Sequence, residues 1–157
     1  MAMPNLVERQ RQALDGFAAL SKLSTQNLDL ANISSEILKA PHEPAQFPKG
    51  NMAIYSFWKN YTCLKVGIAS PNNNARFVSH HYGLNRAPSN LAKSIDKDPT
   101  VVGLLAPPED YSMWIRQNCS RINFWMPGSW GKSILSLFEA YLHVVWTPIY
   151  EGGAWKT

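Results

Sequence analysis

Leu6, Val7, Leu14, Phe17 and Leu20 recur at helical spacing behind Pro4, a residue favoured in a first helical turn, and predict a helix. A second helix is predicted from a cap at Ser24 or Thr25, through Leu28, Ile33, Ile37 and Leu38, to a stop at Pro41. Pro41, Pro44, Pro48 and Gly50 then crowd a segment that reads as a linker or an extended arm. Beyond it the hydrophobic period falls from 3.6 to 2. Residues 51–58 are rich in β-formers, Lys59 and Asn60 are turn-prone, and residues 61–69 alternate Leu64, Val66 and Ile68 against Cys63, Lys65 and Gly67. This is the pattern of a β-hairpin.

Asn72 to Asn74 offer caps for a helix that begins near Ala75 and carries Arg76, Phe77, His80 and His81. Two short helices, 89–95 and 108–117, are expected in the less patterned stretch 83–118, where Pro99, Pro107 and Pro108 punctuate the chain. Residues 121–126 form a third strand that Pro127 and Gly128 end. A helix opening at Ser129 or Ser133 then carries Ile134, Leu135, Leu137, Phe138, Leu142, Val144 and Val145, apolar over most of its circumference and so expected to be buried on nearly all sides. Pro148 ends it, and an irregular tail is expected from Tyr150 onward. The fold class is α+β, with an N-terminal helical extension (1–40), a Pro-rich linker (41–50) and a main domain (51–157) holding a helical insert at about 83–118.

A length of 157 residues suits one domain with a proper core, and 45% apolar against 17% charged residues marks a folding chain. No apolar run reaches the roughly 18 residues of a membrane span, and residues 1–11 lack a signal-peptide core, so a cytoplasmic protein with no membrane partner is expected. Two cysteines without CxxC spacing exclude a disulfide scaffold and a zinc finger. The net charge of +4 lies wholly beyond residue 40, because four basic residues meet four acids before it. Between Lys59 and Lys97 six basic residues face only Asp96, a distribution suited to a polyanion or to a plain basic surface.

Glu139 stands in the middle of the most apolar helix. A carboxylate there needs a cation, a metal ion or hydrogen-bond donors, so metal ligation and a structural ion pair are its two readings. Arg76 and His80, four residues apart on one predicted helix, could grip a phosphate; His81 falls on another face without a clear role. Tyr55 and Lys65 lie on the two hairpin arms and would sit opposite each other across a turn with an odd number of residues, where the ammonium would favour the phenolate and make Tyr55 a base or a water-positioning group. Gly131-Lys132-Ser133 imitates the end of a phosphate-binding loop, but Met126 stands where its first glycine is required.

Together these residues resemble the GIY-YIG nuclease superfamily. Ala53-Ile54-Tyr55 stands for the first motif and Lys65-Val66-Gly67 for the second. Arg76 matches the arginine of the following helix, His80 the histidine one turn later in some members, and Glu139 the glutamate of a late helix. Pro148-Ile149-Tyr150 resembles the element that follows that helix, and Glu151 stands where the family often has an asparagine. The likeness covers about residues 50–153. It implies a small three-stranded antiparallel sheet flanked by helices and a metal-dependent endonuclease, in a restriction, defence or mobile-element role. Glu139 would hold Mg²⁺ or Mn²⁺, Arg76 would neutralise the phosphate, Tyr55 assisted by Lys65 would activate or orient water, and His80 would assist. Nucleic acid, DNA ahead of RNA, is the expected partner, with Arg86, Lys93 and Lys97 on its backbone and a homodimer or partner protein supplying specificity. The alternatives are a binding module of the same fold without catalysis, and an interaction protein working through its N-terminal helices.

Overall fold

The computed structural model describes residues 4–88 and 90–151; the tail expected beyond Glu151 and the helix start expected at Ser89 lie outside the described residues. Four strands form one antiparallel sheet in the order β1-β4-β2-β3, with β1 at Ser34–Leu38, β2 at Asn51–Lys59, β3 at Thr62–Ala69 and β4 at Ser120–Pro127. The helices are α1 (Leu6–Ser21), α2 (Asn74–Val78), α3 (Leu91–Lys97), α4 (Tyr111–Asn118) and α5 (Lys132–Trp146). None of the described helices is long and apolar enough to cross a membrane.

The α+β class holds, but the expected three-stranded sheet has a fourth strand, and the second N-terminal helix does not form. Asp29 instead accepts the Ala31 N–H at 3.1 Å and opens a short 3-10 turn over Leu30–Asn32. Residues 34–38 then pair with β4, Glu36 opposite Asn123 and Ile37 opposite Ile122. Ser34-Ser35 and the β-branched Ile33 and Ile37 give a helix little support, and the strand satisfies the outer backbone edge of β4. Helix α1 does form, closed by a capping box in which Asn5 accepts from Glu8 N and Glu8 accepts from Asn5 N.

Helices α1 and α5 cover one face of the sheet. Phe17 of α1 stacks on Phe138 of α5 with ring centroids 4.2 Å apart, above Ile54, Ile122 and Phe124. Helix α2 and the insert, with α3 and α4, cover the other face, where Tyr55, Phe57 and Leu64 pack with Phe77 of α2. Both faces of β2 are therefore buried. The expectation that α5 would be buried all round is not met. Ile134, Leu135, Phe138, Leu142 and Trp146 face the sheet, while Val144 is 75% exposed, because α5 has a packed layer on one side only.

The hairpin turns through Asn60 and Tyr61, both at positive φ, so the loop has two residues and the odd-numbered turn does not occur. Lys59 pairs with Thr62 and Trp58 with Cys63, then a bulge shifts the register so that Phe57 faces Lys65 and Tyr55 faces Gly67. Without the bulge Lys65 would pair with Ser56 and lie on the opposite face of the sheet. The extra residue returns it to the face of Tyr55, two residues along from the expected position.

Candidate active site

Tyr55 is 1% exposed, and its ring lies across Gly67. A Cβ on Gly67 would come within 2.7 Å of the tyrosine Cζ, so only glycine lets the ring cross β3 toward the sheet edge. At that edge the ring meets groups from three directions. His81, in a 3-10 turn over His80–Tyr82, places Nε2 2.7 Å from the Tyr55 oxygen. The Leu91 N–H donates to His81 Nδ1 at 3.2 Å, which puts the imidazole proton on Nε2 and aims it at the phenol. Burial holds His81 well below its ordinary range, helped by Lys65, Arg121 and Arg76, so the ring is neutral.

Arg76 sits on α2, whose cap Asn73 accepts the Arg76 N–H at 3.1 Å. Its guanidinium is close enough to Tyr55 to oppose the effect of burial, which pushes the phenol up to about 12; Arg121 acts with it and Glu139 against it. The expected phenolate is therefore not favoured, because Lys65 is diagonal to Tyr55 and turns toward Glu151, whose carboxylate is 3.9 Å away. An oriented phenol oxygen suits water positioning better than proton abstraction.

Glu139 is half-buried on α5 and among the described residues has no hydrogen-bond or ion-pair partner. Burial raises its carboxyl above the usual range and Glu151 adds to the rise, while His143, one turn on, and Arg76 act against it. His143 Nε2 is buried without a hydrogen bond, 4.0 Å from Glu151. Glu151 accepts the Val66 N–H at 2.9 Å, while Ile149 N and Tyr150 N donate to Cys63 O and Leu64 O. Residues 149–151 thus line the outer edge of β3 and bring a second carboxylate to the cluster. Among the described residues no three His, Cys, Asp or Glu side chains stand as a ready metal cage. One or two carboxylates with open positions suit a hard, hydrated cation such as Mg²⁺, which keeps several waters, better than zinc.

Tyr55, Lys65, Arg76 and Glu139 come together, and Glu151 joins them. His80 does not share a helix face with Arg76, because α2 ends at Val78 and the chain tightens into the 3-10 turn; His81 takes the place beside Tyr55. Lys93 and Lys97 line a groove that shares Lys65 with this cluster, whereas Arg86 folds back over Gly83.

Arg121 is a component that the sequence reading passed over. It is fully buried, donates from Nη1 to Phe77 O and Tyr82 Oη at 3.0 Å and from Nε to Asn123 Oδ1 at 3.1 Å, and lies against the rings of Tyr55, Phe57 and Phe77. Tyr82 in turn contacts His42 Nε2 at 2.6 Å, and His42 Nδ1 contacts Cys119 O at 2.6 Å. The available signal was Arg121 and Asn123 at period two in an otherwise apolar strand, which sets both on the face of Tyr55. Compared with family models, with curated proteins and with solved structures, the chain matches none.

Proposed function

We propose that this chain is a metal-dependent endonuclease that hydrolyses phosphodiester bonds of nucleic acid, DNA ahead of RNA. The observation that carries the reading is the meeting of Tyr55, Arg76 and Glu139 at the β3 edge, each within electrostatic reach of the others. The likeness to GIY-YIG nucleases supports it from the sequence side. Glu139 would hold Mg²⁺ or Mn²⁺, with Glu151 the nearest second carboxylate, and the bound ion supplies charge stabilisation at the scissile phosphate.

The protein groups divide the remaining work. Arg76, exposed and charged, pairs with the phosphate oxygens as negative charge grows on them. Tyr55 receives the His81 Nε2 proton in a hydrogen bond, which leaves its own O–H and remaining lone pair to orient the attacking water. Burial, with Lys65 and Arg121 acting alongside it, keeps His81 neutral. The interaction-protein alternative loses its second N-terminal helix to β1, and α1 is occupied against α5.

Supercoiled plasmid incubated with Mg²⁺ or Mn²⁺ is expected to be nicked or linearised. Arg76→Ala should lower the rate by about 10²–10³, the usual effect of removing a transition-state donor, and Glu139→Ala should abolish cleavage under either metal. Salt-dependent binding without cleavage under either metal would select the non-catalytic binding module instead.

A further inference from the structure

The groove that shares Lys65 with the cluster has a volume of about 670 Å³ and lies between α3 and residues 149–150. Its two walls differ in chemistry. Asn90 caps α3 by accepting the Lys93 N–H at 2.8 Å, and the helix buries Leu91, Ala92 and Ile95, which turns Lys93 and Lys97 outward. These lysines are one helical turn apart, a rise of about 6 Å. Neither is in an ion pair among the described residues. The lining acid, Asp98, has one carboxylate oxygen occupied by the Thr100 hydroxyl at 2.9 Å. The opposite wall is apolar and aromatic, with Val101, Ile149 and Tyr150, the last fixed by its O–H donating to Asp98 O at 2.7 Å.

We propose that this groove seats an unpaired strand of nucleic acid running away from the cleavage cluster, with its phosphates on Lys93 and Lys97 and its bases against Ile149 and Tyr150. The inference rests on the hydrolase reading for the position of the scissile bond. A cationic track beside an aromatic platform is the combination that binds single strands, which offer charge on one side and base faces on the other. A duplex keeps its base faces stacked inside and would set sugar and phosphate against the apolar wall. Lys65 joins the groove to Tyr55 and Arg76, so one strand can pass from the cluster into it.

Fluorescence anisotropy in EDTA, with a labelled oligo-deoxythymidine and a blunt duplex of similar length, tests this without cleavage. The single strand is expected to bind about tenfold or more tighter. Lys93→Ala/Lys97→Ala should reduce the magnitude of the slope of log affinity against log salt by about 1.4, from roughly 0.7 for each single-strand phosphate contact. Tyr150→Leu should weaken single-strand binding about tenfold and leave the slope unchanged. Equal or tighter duplex binding, or an unaltered slope in the lysine double variant, overturns the proposal. If these binding results hold while plasmid and flanked duplex stay uncut with metal, the groove stands and the hydrolase reading falls.

Discussion

At the scale of single residues, the cluster depends as much on a missing side chain as on those present. Gly67 has no positive-φ requirement, so its role is the 2.7 Å approach of the tyrosine ring. Gly67→Ala must push the Tyr55 ring off His81 or move β3. We expect a loss of cleavage of at least tenfold with a stability cost of about 1–3 kcal/mol, the usual range for overpacking. Plasmid cleavage and urea denaturation measured on the same sample check this; full activity in the alanine variant would show that the ring position is unimportant. His81 carries a related lesson. Its value comes from the Leu91 N–H that fixes its tautomer, and that contact joins residues ten apart in the sequence.

At the scale of elements, the hairpin, β4 and α5 were legible because each has a clear period and a stop, and the short helices of the insert because prolines punctuate the stretch around them. That Tyr55, Lys65, Arg76 and Glu139 belong near one another was expected because their order and spacing resemble a known arrangement. The rest was written in tertiary contacts. Leu28, Ile33 and Ile37 fit a helical period loosely, and only the open edge of β4 decides for a strand. The bulge after Cys63 has no local signature, yet it determines which face Lys65 occupies. Arg121 reads as an ordinary strand residue until Phe77, Tyr82 and Asn123 close around it. This integration makes a prediction about residues 1–40. Removing them takes away β1, exposes the β4 edge and strips Phe17 from Phe138, so the shortened chain should lose cooperative unfolding and aggregate. A soluble 41–157 fragment with a sharp thermal transition would show instead that the extension is dispensable.

At the scale of the whole molecule, buried neutral imidazoles make stability depend on pH. Burial lowers His42 from 6.5 to about 4, with Arg121 and Arg116 adding to the fall and the Cys119 carbonyl opposing it. Between those values the unfolded chain binds a proton that the folded chain does not, so this contribution is present above about pH 6.5 and lost as the pH falls toward 4. The gap corresponds to about 3 kcal/mol at most, and His81 acts in the same direction. The raised Glu139 carboxyl works the opposite way, its contribution being lost as the pH rises through its folded-state value. Urea midpoints should therefore drop between pH 7 and pH 5, and His42→Gln should flatten the drop; an unchanged slope in that variant would mean His42 titrates normally.

The strip of chain that lines β3 also fixes when the cluster can exist. Tyr55, Lys65 and Arg76 leave the ribosome well before Glu139 and Glu151, and the Val66 N–H has no side-chain acceptor until Glu151 arrives. A nascent chain can therefore hold the hairpin and α2 without the acidic half of the site. The cluster is therefore complete only once residue 151 has emerged, 75 residues behind Arg76.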